Sequence, residues 1–344
     1  MLKKILLIIF LIPVVLSCFL YYSLDEKYKN AKDLNILFVI EDDINQAKNT
    51  PIFLLAQYFP NKYKLQIIFI NEQISILKRR TKTKTISQLY SEYEHDKRII
   101  SISKEFEELF DNSIKTDYFI NIDKNTFKDF FKLFDKNIDQ NLLNNITDKT
   151  NYYNYICSNM HLIKIVINNF DRTKIFDISM FIKHNVINTD IKPKFLLYLL
   201  NIKKPNIVFA DIPTIKSKGR IEIDSKNKDK ILQLLNDSYK NKSFLNDKII
   251  VEVLNASNKK RLASKAANKL IENGFDVFNW TNSSSKTNNT IVIDLINNEN
   301  VSKICKLFDC ENVLLLPAPK NFADVTLLLG DDCNLSDKFD TISS

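Results

Sequence analysis

The chain has 344 residues, of which 45% are apolar, 11% aromatic and 26% charged. That is enough for two domains with separate cores, and it excludes a disordered chain. Its 49 basic and 41 acidic residues leave a net charge of +8, yet only six of the basic residues are arginine (Arg79, Arg80, Arg98, Arg172, Arg220 and Arg261). No arginine cluster or basic–aromatic stripe appears, which argues against nucleic acid as a partner; the charge fits either an anionic lipid or polymer partner or an ordinary lysine-rich surface.

Residues 5–24 read ILLIIFLIPVVLSCFLYYSL, behind Lys3 and Lys4 and ahead of Asp25 and Glu26. About 20 apolar residues suffice to cross a bilayer, and flanking lysines stay on the cytoplasmic side. The expectation is a single-pass signal anchor over residues 1–24, with the bulk of the chain extracytoplasmic and tethered to the cell membrane. Val15-Leu16-Ser17-Cys18 offers an alternative, a lipoprotein with Cys18 lipidated, although the apolar run continues past Cys18.

After the anchor, NILFVI (35–40), PIFLLAQYF (51–59) and LQIIFI (65–70) read as strands, the last two forming a hairpin about Pro60-Asn61-Lys62. The charged run KRRTKTKTISQLYSEYEHDKR follows, helical in its second half. Ile102, Phe106, Leu109 and Phe110 have helical spacing, DYFINI (117–122) is a strand, and a helix starting at Thr126 carries Phe127, Phe130, Phe131 and Phe134 on its core face. Residues 135–152 read as a polar loop, 153–187 and 193–200 as helices, NIVFADI (206–212) as a strand, 213–220 as a turn and 229–235 as a helix. The polar stretch 237–247 reads as a linker.

From Lys248 the pattern changes to a compact α/β unit. IIVEVL is a strand, and Asn258 is the expected N-cap of a helix with Leu262, Ala266, Leu270 and Ile271 on one face. Gly274 sits where a left-handed helix stop favours glycine. FDVFNW is a strand, SSSKTNN (283–289) a loop, TIVIDLI a strand, VSKICKLF a helix, and DVTLLLG a last strand ending at Gly330. The β-α-β-β-α-β order predicts a split βαβ sandwich.

Neither the cysteines (Cys18, Cys157, Cys305, Cys310 and Cys333) nor the histidines (His95, His161 and His184) have metal-ligand spacing. A disulfide involving Cys333 is compatible with export.

Residues 248–335 resemble the LytR C-terminal domain. The resemblance rests on Val253-Leu254-Asn255, Leu262-Ala263, Ala266-Ala267, Leu270, Gly274-Phe275, Val277, Asp324-Val325-Thr326 and Leu329-Gly330-Asp331-Asp332. Ala256 and Lys260 stand where that family usually has turn glycines. Residues 34–236 resemble, more in pattern than in identity, the LytR-CpsA-Psr domain that often precedes it. NILFVIEDD is similar to its opening strand, PIFLLAQYFPNKYKLQIIFI to its hairpin, the stretch from Ile102 to Asp135 to its helix–strand–helix, and VINTDI with PNIVFADIP to its last section.

The resemblance implies an α/β fold behind a membrane helix. In active members it also implies transfer of a glycopolymer from a polyprenyl-pyrophosphate carrier to the cell wall with a divalent cation, Mg or Mn. Forked guanidinium groups suit a diphosphate, and acids hold the metal. The chain departs from that pattern. The family's first acid falls on Asp42, but the R-S-D-T motif reads Lys48-Asn49-Thr50-Pro51 and the P-R-D motif reads Asn71-Glu72-Gln73. No arginine lies between Arg98 and Arg172.

The expectation is therefore a degenerate relative, a pseudoenzyme, that binds or scaffolds wall polymer, polyprenyl lipid or another envelope protein, with no cofactor. The transferase alternative keeps Asp42 as catalytic or metal residue and Lys48 as a charge, helped by Lys82 and Lys84. A purely structural envelope role is the third reading.

Overall fold

The computed structural model describes residues 33–42, 51–78, 82–94, 97–110, 114–170, 174–185, 187–190, 205–217, 219–223, 227–235, 249–298, 300–318 and 321–335. The expected anchor at 5–24, Cys18, the helix at 193–200 and the linker at 237–247 lie outside these residues. Among the described residues no helix is long and apolar enough to cross a membrane.

The strands are β1 (Leu34–Glu41), β2 (Ile52–Phe59), β3 (Lys64–Ile70), β4 (Ser75–Lys78), β5 (Lys82–Thr85), β6 (Tyr118–Asp123), β7 (Ile187–Thr189), β8 (Asn206–Asp211), β9 (Thr214–Ser217), β10 (Arg220–Ile223), β11 (Ile250–Asn255), β12 (Asp276–Asn282), β13 (Ile291–Asp294), β14 (Val313–Leu315) and β15 (Val325–Leu329). The helices are α1 (Ile86–Glu92), α2 (Arg98–Leu109), α3 (Lys124–Lys132), α4 (Gln140–Asn145), α5 (Tyr152–Asn169), α6 (Lys174–His184), α7 (Lys228–Leu235), α8 (Leu262–Glu272) and α9 (Val301–Phe308).

One mixed sheet runs through both halves of the sequence in the order β12-β11-β15-β13-β14-β8-β3-β2-β1-β6-β7. The expected α/β class holds. β2 is buried along its whole length, as a central strand covered on both faces requires. On β1, Ile36, Phe38 and Ile40 enter the core beneath α3, α4 and α5, while Leu37 and Val39 enter the core beneath α1, α2 and α7. At the opposite end from the strand C-termini, buried amides cross three strands. Gln66 donates to Gln57 at 3.2 Å, Gln57 to Asn35 at 3.0 Å, and Asn35 to the Lys115 carbonyl at 2.8 Å.

Several local expectations need correction. α3 begins at Lys124 rather than Thr126, because Asp123 caps it by accepting from the Asn125 and Thr126 amides. The stretch 135–152 is not all loop but contains α4, capped by Asp139. Residues 213–220 are not a simple turn: β9 and β10 pair as a hairpin whose Gly219 has φ +75°. β4 and β5 form a second hairpin, in the charged run.

The C-terminal half is not a split βαβ unit. β11 and β12 are direct parallel neighbours, as are β13 and β14, and β15 lies between the two pairs. Asn258 is not the α8 cap; that position is Arg261 at φ +58°. Asn255 organises the turn instead, accepting from the Ser257 amide at 3.0 Å and donating to the Lys259 carbonyl at 2.8 Å. Ile271 is half exposed, and Ala263 and Ala267 take the buried face. Gly274 stops α8 as expected, with φ +84° and the Phe275 amide reaching back to the Leu270 carbonyl at 3.1 Å. Among the described residues Cys157, Cys305, Cys310 and Cys333 are free thiols.

Candidate functional site at the carboxyl edge of the sheet

β1, β3, β6 and β8 all point the same way, because β1 is parallel to β6, antiparallel to β2, and β2 antiparallel to β3, which is parallel to β8. Their carboxyl ends form one edge, where open α/β sheets bind ligands. The sequence places an acid at or just past each end: Glu41 and Asp42, Glu72, Asp123 and Asp211. Asp123 is used up as the α3 cap.

Glu41 faces the α1–α2 side and is almost fully buried. Tyr90 of α1 donates to Glu41 Oε1, and Arg98 of α2 lies with Nη1 3.9 Å from Glu41 Oε2 and its guanidinium 5.0 Å above the Tyr90 ring. Arg98 is 5% exposed, so this guanidinium is turned inward, away from any solvent-borne anion. Burial and the hydrogen bond to Glu41 raise the Tyr90 phenol well above its ordinary value, which keeps it a donor. Arg98 Nε has no hydrogen-bond partner among the described residues.

On the opposite face a cavity of about 180 Å³ is lined by Phe69, Ile70, Asn71, Glu72, Lys149, Tyr152, Tyr155 and Asp211. Lys149 pairs with Glu72 and its ammonium lies 5.8 Å from the Tyr155 ring centre. Tyr152, the first residue of α5, donates to Asp211 Oδ2, and the Ile212 amide donates to Asp211 Oδ1 at 2.7 Å. Burial pushes the Asp211 carboxyl up to about 6, against the lowering pull of those two hydrogen bonds and of Lys149. Burial also lowers Lys149, while Glu72 opposes that shift. A carboxyl raised to about 6, a phenol, an ion pair and aromatic walls thus converge in one cavity. A second, more polar cleft of about 270 Å³ lies between the two hairpins and is lined by Gln73, Ser75, Thr83, Thr85, Gln88, Gly219, Arg220 and Ile221.

Of the residues expected to act together, the side chains of Asp42 and Lys84 are described. Asp42 is half exposed and ion-paired with Lys124. Lys48 lies outside the described residues. Lys82 lies on β5, and Lys84 beside it pairs with Glu92. Glu72, which falls on the position of the arginine in the P-R-D motif, is paired with Lys149. Lys124 is paired with the Asp42 carboxylate, and among the described residues no three His, Cys, Asp or Glu side chains converge. Sequence reasoning missed Lys149, Tyr152 and Asp211. The available signal was positional: Asp211 lies near the end of a predicted strand, and Tyr152 directly precedes a predicted helix.

In the C-terminal half, the matched motif residues hold structure. Asp331 accepts from the Asn258 amide at 2.9 Å, Asp332 from the Thr290 amide at 2.8 Å and its hydroxyl at 2.6 Å. Ala256, in a slot the family fills with glycine, is fully buried in the core shared with α5.

Residues 248–332 match the family described as LytR cell envelope-related transcriptional attenuator, and form its C-terminal domain. No curated protein matches the chain. Among solved structures, B. subtilis TagV is similar over 60% of this chain and 96% of its own, at 15% identity and a TM-score of 0.46. A Listeria innocua protein is similar over 60% and 98%, at 14% and 0.46. A structure described as TagT bound to LI-WTA is similar over 60% and 90%, at 10% and 0.43.

Proposed function

With a LytR C-terminal domain at residues 248–332, we propose that the chain is a cell-envelope protein, tethered to the membrane by residues 5–24, that binds wall polymer or an envelope partner without transferring it. In this reading the first half is a LytR-CpsA-Psr-like domain whose pyrophosphate chemistry is lost. The observation that carries it is the fate of the cations at the carboxyl edge. Arg98 is buried on Glu41, Lys124 is paired with Asp42 and Lys149 with Glu72. A diphosphate needs convergent, available guanidinium or ammonium groups to hold its charge as the bond breaks, and these three are spent on internal carboxylates. Among the described residues, open space includes a cavity with aromatic walls and a cleft lined by hydroxyls, amides and Arg220. Both suit reversible contact with a hydroxyl-rich polymer better than phosphoryl transfer.

The test uses purified residues 25–344 with a polyprenyl-pyrophosphate-linked oligosaccharide and Mg or Mn. The expected outcome is no hydrolysis and no transfer, together with co-sedimentation of the protein with wall material. Turnover that disappears in Asp42→Ala would overturn the reading in favour of a transferase.

A further inference from the structure

The start of α5, with the residues just before it, has two working sides. Lys149, Tyr152 and Tyr155 line the cavity. Asn151 and Asn154 point the other way, into the loop that joins β12 to β13 in the C-terminal domain. Asn151 caps α5 by accepting from the Asn154 amide at 3.2 Å, and its Nδ2 donates to the Lys286 carbonyl at 3.0 Å. Asn154 Oδ1 accepts from the Asn288 amide at 3.2 Å and lies 3.3 Å from the Thr287 hydroxyl.

The loop itself is pinned inside its own domain. The buried Thr287 donates its amide to the Ala256 carbonyl at 3.0 Å, and the Asp331 and Asp332 amides donate to the Thr287 and Asn288 carbonyls at 3.2 and 3.0 Å. Lys286 donates to the Ser257 carbonyl. A rigid loop therefore grips one side of a helix turn whose other side builds a cavity.

We propose that residues 286–288 of the C-terminal domain are a clamp that positions Tyr152 and Lys149 against Asp211 and Glu72, so that the C-terminal domain sets the state of the cavity in the first half. The cavity's importance as a ligand site rests on the function proposed above; the clamp itself does not. Releasing the grip frees the α5 turn to tilt, admits water and loosens the Tyr152–Asp211 contact. A molecule bound in the cavity, conversely, stiffens the loop by the same amount, since coupling is reciprocal.

Three variants of the full soluble chain test this. Asn154→Ala removes the acceptor for the loop. Asn154→Asp keeps it. Asn151→Ser keeps a helix cap but loses the donor to Lys286. Two readouts need no ligand: amide exchange over residues 149–156, and the titration of the Asp211 carboxyl followed by carbon NMR, assigned with Asp211→Asn.

The expected result is about tenfold faster exchange in Asn154→Ala, the value of one lost hydrogen bond, with the Asp211 midpoint falling from about 6. Asn154→Asp should behave as the parent chain and Asn151→Ser should fall between. If Asn154→Ala folds with native exchange and an unmoved midpoint, the clamp is refuted; if it does not fold, the same two readouts on Asn151→Ser decide. Failure of the protein to bind wall material would leave these measurements unaffected, so the two ideas fail separately.

Discussion

A β-carbon on Gly330 would lie 2.3 Å from the carbonyl carbon of Asn289 and 2.6 Å from its oxygen. No side-chain motion relieves that contact, because the obstacle is backbone. The chain keeps its third glycine where the end of β15 passes the loop gripping α5. Gly274 is different: it needs glycine for φ +84°, with open space around it. Gly330→Ala should therefore destabilise by about 2–4 kcal/mol, as overpacking does when backbone must shift. Gly274→Ala should cost about 1 kcal/mol, the strain of a left-handed residue. Urea unfolding followed by Trp280, the single tryptophan, measures both. Equal losses in the two variants would mean that the loop accommodates a methyl group.

At the scale of elements, what the sequence reveals depends on where the stabilising contacts come from. The apolar runs of β1, β2 and β3 and the Phe127–Phe131 face of α3 carry their own periodicity, and they are legible. β5 reads Lys-Thr-Lys-Thr and β14 has three residues. Each exists because a partner strand supplies its hydrogen bonds, so neither shows in composition. α1 is short, and its start is fixed by a capping box in which Thr85 and Gln88 exchange hydrogen bonds at 3.2 and 3.0 Å. That helix holds Tyr90 on Glu41. Thr85→Ala should cost about 1 kcal/mol, seen as a lower urea midpoint with an unchanged slope, and Thr85→Ser should restore most of it. A midpoint unmoved by Thr85→Ala would show that packing of Ile86, Leu89 and Tyr90 alone fixes the helix. The candidate site follows the same rule. Asp211, Tyr152 and Lys149 come from a strand end, a helix start and a loop, and only the sheet order brings them together.

For the whole molecule, the two halves share one sheet through β14 and β8, and α5 packs against residues of both. Two acids along the common carboxyl edge carry the consequence for pH. Burial raises Asp211 to about 6, and burial with the nearby Asp324 charge raises Asp294 to about 7, despite amide donors that favour ionisation. A raised acid binds its proton more tightly in the folded chain than in the unfolded one, where the value is near 3.8. Between those two values the native state holds the extra proton, so stability contributed by protonation is complete below about pH 4 and is lost as pH rises through 6. For Asp211 the span corresponds to about 2–3 kcal/mol. Asp211→Asn keeps an acceptor for Tyr152 but cannot ionise. Its stability relative to the parent should therefore improve by that amount between pH 4 and pH 7.5, in urea titrations at fixed ionic strength. A difference between the two chains that stays constant with pH would mean that Asp211 titrates as an ordinary solvated acid.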